Sequence, residues 1–136
     1  MNEATLVDSN VLLDLLIPNK EWVDWSAEAV ERAANDGPLV INPIIFGEVS
    51  IGFTRVEDVE QALSPELFVR APLPWSAAFL AGKCFVQYRR RGCEKRSPLP
   101  DFYIGAHAAV SKFRLLTRDV SRYRTYFPTV ELIAPE

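Results

Sequence analysis

Residues 4–17 read "ATLVDSNVLLDLLI". The first four form a short β-type run. From Asp8 onward the apolar side chains recur at helical spacing. A strand, then one acid, then a helix is the start of an alternating α/β chain. Pro18 and Asn19 break the helix. Outward from this stretch the alternation repeats. Residues 20–35, "KEWVDWSAEAVERAAN", predict a second helix with Trp22, Trp25, Ala29 and Ala33 at helical spacing, stopped by Asp36-Gly37-Pro38. "LVI" (39–41) is a second strand. Asn42-Pro43 then supply an N-cap and a first-turn proline for the apolar helix "IIFGEVSIGF". A short helix is expected over 56–63, and a Pro-rich loop with some extended structure over 66–74. Further helices are expected over 75–91, turning basic at its end, and 101–112. "RLLT" (114–117) is a third clear strand, 122–127 is irregular or helical, and "VELIA" (130–134) is a last strand. The expectation is an α/β fold of one domain, residues 1–136, with a small central parallel sheet flanked by helices on both faces.

Composition narrows the function classes. About half of the 136 residues are apolar and a quarter are charged, as in ordinary soluble proteins. No apolar run approaches the ~20 residues that span a bilayer, so no membrane role is expected. The N-terminus lacks the basic-then-apolar pattern of a secretory signal. Cys84 and Cys93 have no metal-ligand spacing and make no disulfide framework. A cytoplasmic protein with free thiols is the expectation. The net charge of −3 hides an asymmetry. Residues 83–124 hold eleven of the fifteen Lys and Arg and three of the eighteen acids, a net of +8 against −11 elsewhere. Such a segment suits a polyanion, although solvated helix faces explain any single charge equally well.

In open α/β sheets, ligands bind beyond the carboxyl ends of the strands. Asp8 follows the first strand, and Asp119 follows "RLLT" after Arg118. Glu48 lies in the apolar helix after "LVI", and Asp101 opens the helix "SPLPDFYIGAHAAV" (97–110). Asp8, Asp101 and Asp119 could each be a helix cap. Glu48 lies too deep in its helix to cap it, and a charge among Ile44, Ile45, Phe46, Val49 and Ile51 needs a partner, an arginine or a cation. Carboxylates brought together raise one another's pKa, and a divalent cation removes that cost. Four acids without clustered His or Cys favour Mg²⁺ or Mn²⁺ over zinc.

With those residues in view, the chain resembles the PIN-domain family, most closely its toxin ribonucleases of the VapC type. "LVDSNVLLDLL" is similar to the family's opening strand and first acid, at Asp8. "NPIIFGEVS" resembles the segment of the second acid, Glu48, and "LPDFYIGAHAAV" the third-acid helix, at Asp101. "LLTRDVSRYRTYFPTVELIAP" resembles the closing strands with the Thr117–Asp119 pair. The resemblance implies a three-layer, Rossmann-like fold and a metal-dependent endoribonuclease restrained by a cognate antitoxin. It also implies one or two Mg²⁺ or Mn²⁺ held by the acids, which activate water to attack phosphorus. Asp8 and Asp101 would be the main ligands, with Glu48 and Asp119 holding a second metal or waters. Ser9, Asn10 and Thr117 would orient ligands, and each could equally serve a local turn. Arg89, Arg90, Arg91, Lys95, Arg96, Arg118 and Arg122 would hold the RNA backbone, since an acidic site alone repels it. Some of these could dock the antitoxin instead. A homodimer is expected through the early helices.

Other features have plainer readings. His107 lies six residues after Asp101, about 240° round a helix, and points away from it. The tryptophans Trp22, Trp25 and Trp75 are core or interface anchors. Asp14 is a solvated acid two turns into its helix. Among rivals, a haloacid-dehalogenase-type site needs a second Asp where Asn10 stands, and a receiver domain needs a late lysine where "RDVSRY" offers arginines. A housekeeping RNA-processing nuclease and a non-catalytic binding module on the same scaffold remain as alternatives.

Overall fold

The computed structural model describes residues 3–17, 19–92 and 99–135, with the backbone alone at Arg122. Strands β1 (Thr5–Val7), β2 (Leu39–Ile41), β3 (Val69–Arg70), β4 (Arg114–Leu116) and β5 (Leu132–Ile133) form one parallel sheet in the order β3-β2-β1-β4-β5. Between them run the helices α1 (Ser9–Leu16), α2 (Val23–Asp36), α3 (Pro43–Ser50), α4 (Val56–Ala62), α5 (Trp75–Arg90), α6 (Leu99–Ser111) and α7 (Val120–Tyr126). The chain moves outward from β1 to β2 and β3, then returns past β1 to β4 and β5. Right-handed crossovers running in opposite directions put helices on opposite faces of the sheet. This is the expected parallel α/β sheet between helical layers.

The strands are short because each is a burst of apolar residues between a turn and a cap. β1 and β2 are buried throughout, as a sheet covered on both faces requires. Leu6, Val7, Ile41, Leu115 and Leu116 form the centre of the core. Strand β3, additional to the four expected strands, falls in the tract read as a loop with some extended structure. Its two residues are exposed at the sheet edge.

Two devices fix the helices that carry acids. Asn42 caps α3, its Oδ1 accepting from the Ile45 N–H at 2.9 Å. Its Nδ2 is thereby turned to the buried Nδ1 of His107, also at 2.9 Å. His107 is therefore a packing residue, as expected, and burial holds its pKa down. On the other side, Phe102 is fully buried among Phe85, Tyr88, Tyr126 and Phe127, with ring centroids 5.4–6.2 Å apart. Gly105 lets α6 approach this cluster, for a Cβ there would strike the Phe127 ring. Asp101 is thus the neighbour of a residue anchored in the core. Among the described residues no helix is long and apolar enough to cross a membrane.

Candidate active site

The sheet order reverses between β1 and β4, so the crevice beyond their carboxyl ends is where this topology places ligands. Asp8 leaves β1 there. Its N–H still pairs with the Leu116 carbonyl of β4 at 2.9 Å, so its backbone is held by the sheet. Its carboxylate is almost wholly buried, at 3 % exposed. Oδ1 accepts from the Ser9 N–H at 2.8 Å, and Oδ2 accepts from the Thr117 hydroxyl at 2.8 Å and the Tyr123 hydroxyl at 3.0 Å. A helix cap bonds the second or third N–H of the helix, whereas Asp8 bonds only the first. Capping therefore does not account for it. Burial, aided by the nearby Glu48 charge, pushes the Asp8 pKa up to about 6 against the three hydrogen bonds that lower it.

Glu48 projects from α3 and accepts the Ser9 hydroxyl at 2.7 Å through Oε1. Burial raises its pKa, and the Asp101 charge adds to the rise. Asp101 sits in the first turn of α6, which begins at Leu99, two residues before the expected start. Asp119 is the N-cap position of α7 yet makes no side-chain cap bond. The Tyr123 hydroxyl reports on the assembly. Its pKa is well raised, first by burial and then by the charges of Asp8, Asp101 and Asp119. Glu48 is coupled instead to Asp8 and Asp101. Among the described residues, however, no group of three or more His, Cys, Asp or Glu is gathered as a metal-holding cluster. The expected pocket of four converging carboxylates is thus not gathered as a cluster among these residues. The donor set is all oxygen, with Asp8 and Glu48 disfavoured as anions chiefly by burial, and fits a hard divalent cation.

Ser9, Asn10 and Thr117 are hydrogen-bonded around Asp8 and Glu48. Ser9 joins Asp8 to Glu48 through its N–H and its hydroxyl. Thr117 Oγ1 donates to Asp8 while accepting from the Asp119 N–H at 3.0 Å and from Asn10 Nδ2 at 3.3 Å. Asn10 Oδ1 in turn accepts the Arg118 N–H at 3.2 Å. Tyr123 was not singled out from sequence. It lies four residues after Asp119, one helical turn on, which is the spacing that returns a side chain to the same face.

The basic segment divides. Arg118, expected among the RNA contacts, is paired within the chain. Its Nε and Nη2 donate to the two oxygens of Asp14 at 2.8 and 3.0 Å, and its guanidinium lies 4.9 Å from the Trp22 ring centroid. Asp14 also accepts the Ser26 hydroxyl at 2.7 Å and is 2 % exposed. The expectation of a solvated Asp14 is corrected, because Arg118 and Ser26 supply what burial takes away. Arg114 is likewise taken, by Thr5, Glu3 and Asp36. Arg89, Arg90 and Arg91 are exposed at the end of α5, Arg89 over Phe85 and Arg91 over Tyr126. Lys95, Arg96 and the Arg122 side chain lie outside the described residues. Of the tryptophans, Trp22 underlies Arg118, Trp25 packs against the core, and Trp75 is 91 % exposed.

Comparison with solved structures finds the same fold. VapBC2 from Rickettsia felis, bound to a DNA fragment from its promoter, superposes with a TM-score of 0.72 at 15 % identity, over 96 % of this chain and 98 % of that one. VapBC-1 from Haemophilus influenzae gives 0.70 at 18 % identity, over 96 % and 97 %. FitAcB from Neisseria gonorrhoeae gives 0.65 at 20 % identity, over 95 % and 96 %. No curated protein matches the sequence. The PIN domain profile matches residues 5–128. With nearly the whole chain matched, this protein belongs to the PIN domain family.

Proposed function

We propose that the protein is a metal-dependent endoribonuclease and the toxin of a toxin–antitoxin pair. PIN domains are a nuclease family, and the toxin role is supported by the similarity to VapBC and FitAB complexes. The observation that carries the nuclease reading is Asp8. It is a buried carboxylate held by neutral donors at the sheet's switch point, within the field of another acid. Asp8, Glu48, Asp101 and Asp119 are the proposed ligands of Mg²⁺ or Mn²⁺. When bound, the ion would lower the pKa of a water and neutralise charge on the scissile phosphate. The chain's own residues set the stage. Thr117 and Tyr123 occupy Oδ2 of Asp8 and leave Oδ1, which has one hydrogen bond, as the freer oxygen. The Ser9 hydroxyl fixes the rotamer of Glu48. Asn10 and Thr117 tie the loop carrying Asp119 to α1.

Arg89, Arg90, Arg91, Lys95, Arg96 and Arg122 are proposed to hold the RNA backbone, with Arg118 as a brace for the loop that bears Asp119. The proposed site of action is the cytoplasm. A cognate antitoxin and a second copy of the chain are the proposed protein partners. The exposed apolar side chains Ile51, Val56, Trp75 and Phe79 support partner surfaces. Incubating wild type and Asp8→Asn with total RNA and Mg²⁺, with and without EDTA, tests the reading. Cleavage is expected from the wild type alone and only without EDTA, and cleavage that survives EDTA overturns it.

A further inference from the structure

A cavity of about 470 Å³ opens beside the candidate site, lined by Ile41, Asn42, Phe46, Gly47, Arg70 and Pro72 among others. Its walls are the carboxyl ends of β2 and β3 and the outer face of α3. It therefore shares the sheet edge with the acids. Gly47, in its wall, immediately precedes Glu48 on α3, and the two positions lie about 100° apart round the helix, so cavity and acid occupy adjoining faces of α3. Its size falls in the ~300–1,000 Å³ range of small-ligand pockets.

The chemistry of the lining selects among occupants. Arg70 is braced rather than mobile. Its Nη2 donates to the Leu63 carbonyl at 2.8 Å and pairs with Glu60 at 2.9 Å, and its guanidinium lies 5.1 Å from the Phe46 ring centroid. The Glu60 charge offsets that of Arg70, so the cavity has no net attraction for a phosphate. What remains is a flat, oriented guanidinium on an aromatic ring, between apolar walls. Such planes stack against unpaired bases. Resting on the nuclease reading, we infer that this cavity receives one unpaired nucleobase of the RNA beside the scissile phosphate, and so contributes to the choice of cleavage site. A base locked in a duplex cannot enter it.

The fold offers a clean test. A Cβ built at Gly47 meets no heavy atom within 4 Å, and the same holds at Gly82 on α5, away from the cavity. Gly47→Leu therefore fills the cavity without crowding the core, and Gly82→Leu is the control. Arg70→Ala is the second variant, removing the stacking plane. Each folded variant, verified by thermal melting, is titrated in EDTA into fluorescent single-stranded and duplex RNA oligomers. Cleavage patterns on total RNA are then compared with Mg²⁺ present. Gly47→Leu and Arg70→Ala are expected to weaken single-strand binding roughly tenfold, the worth of one stacked base. Duplex binding is expected to hold, and the cleavage pattern to change. Gly82→Leu should match wild type. Unchanged single-strand affinity and pattern in Gly47→Leu overturn the inference and leave the cavity to a protein partner, as does equal weakening on duplex and single strand. A wild type that binds RNA and cuts nothing sinks the nuclease reading instead, while the binding titration still decides the cavity.

Discussion

Asp8 and Asp14 stand six residues apart, one at the start of α1 and one within it, and both are buried. Their surroundings differ in kind. Asp14 receives a two-pronged guanidinium from Arg118 and a hydroxyl from Ser26. Asp8 receives two hydroxyls and one amide, and among the described side chains no cation pairs with it. A buried ion is tolerated when its charge and lone pairs are met within the protein. Asp14 meets that condition and reads as part of the scaffold. Asp8 meets only the hydrogen-bonding half, and its pKa rises accordingly. What distinguishes a structural acid from a candidate catalytic one here is whether the chain supplies the counter-charge.

The sharpest way to break this comparison is to remove the counter-charge from Asp14. Arg118→Ala leaves a buried carboxylate unpaired and is expected to cost about 3 kcal/mol in urea unfolding. Replacing both partners, Arg118→Met with Asp14→Leu, should restore most of that. A loss below about 1 kcal/mol, the range of exposed pairs, would place Asp14 in contact with solvent and dissolve the contrast.

Asp8 is expected to respond in the opposite direction. Its folded pKa of about 6, against 3.8 unfolded, means the folded state holds the proton more tightly. Stability is therefore lost as pH rises from about 4 through 6, and the loss is complete above that. At roughly 1.4 kcal/mol per pKa unit, the cost of ionising Asp8 at pH 7 is about 3 kcal/mol. Asp8→Asn removes it and forfeits about 1 kcal/mol for the bond to the Ser9 N–H. The variant should be more stable by about 2 kcal/mol at pH 7, with the advantage vanishing as pH falls below 6 in parallel urea titrations. A destabilised variant at pH 7 would mean that Asp8 already has its counter-charge.

The sequence carries this contrast only in part, for a physical reason. β1, β2 and β4 are legible because each is a short apolar run ending at a turn or a cap, a local pattern. Asp8 and Glu48 stand out by the same local logic, as acids where the neighbours are apolar. Asp14 looks solvated by that logic, because its partner Arg118 lies 104 residues away and reaches it only when β4 is laid beside β1. Periodicity cannot report a contact made across the sheet. β3 is obscured for a related reason. It is two exposed residues long, and strand pairing with β2, not its own side chains, defines it. Tyr123 is hidden within "VSRYRTY", a polar run whose helix forms under Asp119 and buries one ring against the site.

Tyr123 also offers the finest adjustment to the comparison. Its hydroxyl, on a residue 1 % exposed, is one of the two donors on Oδ2 of Asp8. Tyr123→Phe keeps the ring and its packing and deletes only that donor. Because the bond favours the ionised acid, its contribution is present above pH 6 and is lost as pH falls and Asp8 takes up its proton. Tyr123→Phe should therefore cost about 1 kcal/mol at pH 8 and less at pH 5, and should raise the Asp8 pKa above its wild-type value. The carboxyl carbon resonance of Asp8, followed through a pH titration by NMR, measures that shift directly. A pKa that stays put, or a stability loss equal at both pH values, would show that the hydroxyl serves packing alone and that Thr117 with the Ser9 N–H suffices to hold the uncompensated charge.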